Sequence, residues 1–247
     1  QGTARRCIMK ADLKSLTKTV EASRRSLLKE YDPETLHALR IAIRRIRTHL
    51  HAIADSDAQK QRDRWSKIVS RTNAARDWDV FWCDLKAELD SREFETIEPV
   101  LKERRDKTRA RALSLLDSND WDKTIAWWHR YLKDFKRHKR REALALPLGK
   151  VEHRLAKASR KALTRGADRD WHKLRIATKE LRYTLDERRQ SLGENRDLAA
   201  GLSWCKELQE ALGQWHDCVI ERDLLEELHY RLGKGSDHPG QAVVAAL

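Results

Sequence analysis

Residues 36–50 read LHALRIAIRRIRTHL, and residues 171–185 read WHKLRIATKELRYTL. The two segments align without a gap at a separation of 135 residues and share a histidine, an isoleucine, an alanine, two leucines and two arginines. Such self-similarity turns one long chain into two related halves. Downstream, NAARDWDV (73–80) and GQWHDCVI (213–220) align at a separation of 140, which sets Arg76 against His216 and Asp77 against Asp217. Upstream, Arg25 matches Arg160 at the original separation. The five-residue difference marks a length change between the shared segments.

Both copies have helical periodicity. At 100° per residue from His37, the residues Arg40, Arg44, Arg47 and His51 fall between about 280° and 340°. Leu36, Leu39, Ile43, Ile46 and Leu50 fill the neighbouring arc from about 180° to 260°, so a cationic stripe flanks the apolar face instead of opposing it. In the second copy His172, Arg175, Lys179 and Arg182 repeat the stripe beside Trp171, Leu174, Leu181 and Leu185. Asp186 stands where His51 does, so the second stripe is one cation shorter.

Outward from these helices, apolar residues recur at three and four along most of the chain, and alternating runs are nearly absent. The chain has 247 residues, 40% of them hydrophobic and 37% charged, with 9 Gly and 4 Pro. That supports an all-helical globular fold and leaves too few breakers for a β-rich or disordered chain. The pattern predicts helices over about 8–29, 33–54 (capped by Asp32, with Pro33 in its first turn) and 58–90. Others start near Pro99, near Asp120 after Asp117-Ser118-Asn119, near Pro147 and near Asp170, and a long one covers about 195–232. Residues 133–146 read as a basic connection, and AVVAAL at the end opens a last short helix.

Lys and Arg number 52 against 39 Asp and Glu, a formal net charge of +13 that calls for an anionic partner. Rows of Lys and Arg on helices are commonly solvated, with stems lying along apolar neighbours. Here the plainer reading meets two objections. Like charges four apart repel by a few tenths of a kcal/mol per pair, and no carboxylate stands at the third or fourth position to offset this until Asp186. The same costly arrangement also occurs in both halves. Neighbours on such a stripe lie about 5–6 Å apart in line, which suits a row of phosphates, and guanidinium forks bind phosphate oxygens bidentately.

The paired His-x-x-Arg helices, the Leu-Arg-Tyr that ends the second, the RDWDV segment and the LQEALGQWHD segment together resemble the CHAD family, the conserved histidine α-helical domain. The resemblance runs from about residue 10 to the C-terminus. It implies an all-α fold of two pseudo-symmetric helical bundles enclosing a basic channel or surface. Here that is one domain over 1–247, with halves of about 8–138 and 146–247. It also implies a module that binds inorganic polyphosphate without enzyme activity, in some members at polyphosphate granules, with no cofactor or metal. Some members are fused to triphosphate tunnel enzymes. This chain has no ExExK pattern, so a tunnel enzyme or other polyphosphate-metabolising protein would be a separate partner.

Carried over by motif, the family's histidines fall on His37 and His172, with Arg40, Arg44, Arg47, Arg175, Lys179 and Arg182 completing the two basic helices. His51 extends the first stripe, and Arg25 and Arg160 extend the surface from the preceding helices. Arg76 is either a phosphate contact or an arginine held by Asp77 or Asp79, and His216 takes its place in the second half. Arg105 and Arg109, in LKERRDKTRARALSLL, are further candidates. Nearby cations disfavour the charged imidazole, whereas a bound polyphosphate would reverse this, so affinity is expected to rise below about pH 6.5.

Two other functions compete. A helical metal-dependent phosphohydrolase needs several His and Asp ligands converging on a cation, whereas His37, His51 and His172 stand among arginines. Binding of RNA or single-stranded DNA would suit the charge and the nine Trp, though most of these lie in apolar stretches where core packing is the commoner fate. Non-specific nucleic-acid binding at low salt is expected in any case. Cys7, Cys83, Cys205 and Cys218 are far apart with no zinc-type spacing and read as reduced, mostly buried thiols. With no apolar run of ~20 residues and no signal-peptide core at the start, the chain reads as cytosolic, with no membrane partner.

Overall fold

The computed structural model describes residues 2–51, 53, 56–135, 148–193, 195–233 and 239–247, and among them there are ten helices and no strand. The first two are α1 (Gly2–Lys29) and α2 (Pro33–His51). Asp32 caps α2 as its sequence implies, accepting from the Thr35 amide at 2.7 Å and the Thr35 hydroxyl at 2.6 Å. These bonds to the ionised form hold the Asp32 carboxyl below its usual range. Leu13, Val20 and Leu27 of α1 face Leu36, Leu39, Ile43, Ile46 and Leu50 of α2 in one buried cluster.

The expected helix over 58–90 is two helices, α3 (Ser56–Arg71) and α4 (Asn73–Glu88). Fully buried Thr72 separates them. Its amide and hydroxyl both donate to the Val69 carbonyl, at 3.1 and 2.9 Å, which ends α3 in a tight turn. The helix expected from Pro99 starts eight residues earlier, as α5 (Ser91–Leu116). Asp90 accepts from the Arg92 and Glu93 amides and the Glu93 carboxylate answers the Asp90 amide, a capping box strong enough to carry Pro99 inside the helix. Next, α6 (Asn119–Lys133) begins at the Ser118 cap, and its Trp121 and Trp128 meet Trp65 of α3 edge-on at 6.2 and 5.8 Å. The basic connection read at 133–146 lies almost wholly outside the described residues.

The remaining helices are α7 (Leu148–Arg165), α8 (Asp168–Leu192), α9 (Arg196–Leu232) and α10 (Gly240–Ala245). Gly166, at φ 65°, turns the chain from α7 into α8 in a conformation that L side chains rarely adopt. Two compact units result, one of Gln1–Arg140 with Leu224–Leu247, the other of Arg141–Asp223. Residues 224–233 and 239–247, which the sequence places in the second half, pack with the first. Leu228, Leu232 and Val244 join Trp78, Phe81 and Leu85 of α4 and Phe94, Ile97 and Leu101 of α5 in a second core of that unit. In the other unit Val151, Leu155 and Ala162 of α7 pack with Leu174, Leu181 and Leu185 of α8 and Leu198, Cys205 and Leu212 of α9.

Aromatic and cysteine positions depart from the sequence reading in part. Trp65, Trp78, Trp121 and Trp128 are fully buried, but Trp127 and Trp204 are exposed. Of the cysteines whose side chains are described, Cys205 is buried while Cys83 and Cys218 are exposed, all three as free thiols. No helix among the described residues is long and apolar enough to cross a membrane.

Candidate functional site

In the first unit the apolar arc of α2 is buried, which leaves its cationic arc at the rim of the core. His37 lies in the field of Arg76, Arg44 and Arg40, and its imidazole is pushed below the ordinary range, first by burial and then by these cations, with Glu34 opposing. Arg44 is exposed, with no acceptor among the described residues, and Arg47 is half-buried with its Nε unpartnered. His51 closes the stripe, partly buried at the end of α2. Arg25 is exposed on α1.

Arg40 also has a structural task. Its Nη1 lies 3.0 Å from the Val69 carbonyl, 2.9 Å from Thr72 Oγ1 and 2.9 Å from Asn73 Oδ1, so it braces the break between α3 and α4. Burial leads the causes that lower its pKa. Arg76, on the first turn of α4, pairs with Glu34 at 3.2 Å and not with Asp77 or Asp79.

Asp79 instead holds Arg105 and Arg109. The carboxylate is 1% exposed, with Oδ1 accepting from Arg105 Nε at 2.8 Å and from Arg109 Nε and Nη2 at 2.9 and 2.7 Å. The Tyr31 hydroxyl donates to Oδ2 at 2.6 Å. Burial, then the hydrogen bond to this carboxylate, push the Tyr31 phenol well above its ordinary range. Each arginine also lies 4.6 Å over a ring, Arg105 over Trp82 and Arg109 over Tyr31. Both thus serve first to pair a buried carboxylate and tie α4 to α5 and to the connection between α1 and α2. The signal in the sequence is an aspartate inside the apolar run Trp78-Asp79-Val80-Phe81, where a carboxylate is rarely buried unless paired.

In the second unit α8 carries His172, Arg175, Lys179 and Arg182. His216 of α9 stands beside His172, with ring centroids 6.0 Å apart and planes inclined by 35°. Burial and then Arg175 lower the pKa of both imidazoles; Lys179 adds to this at His172, and Asp217 opposes it at His216. Arg175 and Arg182 each have a buried Nε with no partner among the described residues. Arg160 is exposed on α7. Asp186, where the first stripe has His51, is paired with Arg189 of its own helix at 3.2 Å.

The aligned downstream residues bear on the helix histidines in both units: Arg76 disfavours the charged form of His37, and the His216 ring stands 6.0 Å from that of His172. Among the described residues no three His, Cys, Asp or Glu side chains converge as metal ligands would.

An all-helical protein with a cationic helix face in each of two units is the class this geometry defines. The CHAD domain model matches residues 10–226, and the chain belongs to the CHAD domain family. Among solved structures, the chain is similar to the CHAD domain from the plant Ricinus communis, at 21% identity and a TM-score of 0.67, over 96% of this chain and 84% of that one. At that identity the likeness establishes the all-α fold. No curated protein matches the chain.

Proposed function

We propose that the protein is a binding module for inorganic polyphosphate, which it holds without cleaving, as a targeting or regulatory part of polyphosphate metabolism. The observation that carries this reading is the set of stripe arginines with a donor that has no protein acceptor among the described residues. Arg44 has none among the described residues, and Arg47, Arg175 and Arg182 bury Nε without one. Arg47 and Arg182 are aligned positions of the repeat. Buried donors in native proteins are nearly always paired, and a row of phosphate oxygens would pair these.

The histidines fit the same role. Held neutral among cations, His37, His172 and His216 would gain protons when a polyanion arrives, so binding is coupled to proton uptake. A location at polyphosphate granules and action beside a separate polyphosphate-metabolising enzyme, such as a triphosphate tunnel enzyme, follow from the same reading.

The test is direct titration with long-chain polyphosphate at ~150 mM salt, where generic attraction is screened. Arg44→Ala/Arg47→Ala/Arg175→Ala/Lys179→Ala should lose affinity while keeping the helical circular dichroism of the wild type. Unchanged affinity in the folded variant would remove the stripes from the site.

A further inference from the structure

The second unit also holds a cavity that the stripe does not use. It lies in the groove between α7 and α8, with a volume of about 370 Å³, within the range of small-molecule sites. Arg154, Lys157 and Lys161 line it from α7, and Asp170, Lys173 and Glu180 from α8. At 100° per residue these α8 positions are turned about 140° from the stripe, on the other side of the helix.

The charges are unevenly matched. Arg154 pairs with Glu180 at 3.1 Å, and Lys173 lies 3.7 Å from Asp170 Oδ1. Lys157 and Lys161, one turn apart, have no carboxylate in ion-pair distance among the described residues. Asp170 is 1% exposed, and its Oδ2 has no hydrogen-bond partner among the described residues. A carboxylate oxygen shut away from water with no donor is costly, and such groups in native proteins have a reason.

The first half serves as a control. At the repeat spacing of 135, Arg154, Lys157, Lys161, Asp170 and Lys173 correspond to Thr19, Ala22, Ser26, Thr35 and Ala38. The stripes are common to both halves, whereas this charged set belongs to the second alone. Packing of a helix pair therefore does not require it, nor does any task the two stripes share.

We propose that the α7–α8 cavity binds a small organic phosphate that also bears a hydrogen-bond donor. Lys157 and Lys161 hold its phosphate, and its amino or hydroxyl group satisfies Asp170. Lysine suits phosphate as a point charge. Ile176, 54% exposed at the cavity wall, offers apolar contact to the organic body. Bare inorganic polyphosphate fits poorly, because it brings acceptors and negative charge to Asp170 and Glu180.

Calorimetric titration at ~150 mM salt with AMP and O-phosphoserine, against inorganic phosphate, tests this independently of the polyphosphate reading. At least one organic probe should bind saturably and about tenfold or more tighter than inorganic phosphate. Lys157→Ala/Lys161→Ala, at positions outside the buried core, and Asp170→Asn should each weaken it by about tenfold or more. The stripe variant Arg44→Ala/Arg47→Ala/Arg175→Ala/Lys179→Ala should retain it. The proposal is overturned if neither probe binds, if inorganic phosphate binds as tightly, if the double-lysine variant binds as the wild type does, or if the stripe variant is the one that loses the probe.

Discussion

Arginines in this chain divide by what already holds them. Arg44 is exposed on α2, and its replacement by Ala should leave stability within about 0.5 kcal/mol, as surface changes usually do. Arg40 belongs to the same stripe but is hydrogen-bonded to Val69, Thr72 and Asn73, so Arg40→Ala should cost about 1–3 kcal/mol in urea denaturation. Asp79→Ala should cost about 3 kcal/mol or more, because Arg105 and Arg109 would be left facing each other without their shared carboxylate. An Asp79→Ala protein as stable as the wild type would show that this hub is dispensable. The sequence displays the stripes but not this division, since a helical wheel gives the side of a helix and says nothing of the partner packed there. Asp79 aligns with Val219 in the second half, so the repeat offers no second instance from which to infer the hub.

The histidines also make a prediction at the scale of single residues. Folding holds His37, His172 and His216 below the ordinary imidazole range. The unfolded chain then binds more protons than the folded one below about pH 6.5, so stability contributed by the neutral imidazoles is present above that pH and lost as pH falls through it. Chemical denaturation from pH 7.5 to 5.5 should show that loss, smaller in His37→Gln/His172→Gln/His216→Gln. Under the proposed function polyphosphate would work in the opposite sense, and its affinity should rise over the same interval at constant ionic strength. Flat affinity across this range, unaltered in the triple variant, would exclude the histidines from binding.

Among the elements, the helices with caps written in local sequence are the legible ones. Asp32-Pro33 marks the start of α2, and the Asp117-Ser118-Asn119 break marks that of α6 to within a residue, with Ser118 as its cap. Pro99 misleads because proline is commonest in a first turn, whereas here the Asp90/Glu93 box fixes the start eight residues earlier. Asp90→Ala should therefore cost about 1 kcal/mol, or about 2–4 °C in Tm for a chain of this size. An unchanged melting curve would mean that packing of Phe94 and Ile97 alone sets the start of α5. The α3–α4 break is not legible in local sequence, because it depends on Thr72 being buried against an arginine 32 residues away.

Across the whole molecule, the excess of +13 raises the expectation of an anionic partner, and the sequence similarity between the halves raises the expectation of two sets of groups to meet it. What the sequence similarity does not disclose is that residues 224–233 and 239–247 pack with the first unit, which depends on long-range contacts of Leu228, Leu232 and Val244. A protein that engages a polymer through two cationic stripes gains affinity by multivalency, so longer polyphosphate should bind more tightly than tripolyphosphate at equal phosphate concentration. The most direct measurement is competition at ~150 mM salt between long-chain polyphosphate and single-stranded RNA for the wild type and the Arg44→Ala/Arg47→Ala/Arg175→Ala/Lys179→Ala variant. Polyphosphate should displace RNA from the wild type, and the folded variant should lose that preference. Equal competition by RNA, or a variant that binds polyphosphate as the wild type does, would contradict polyphosphate recognition by the stripes.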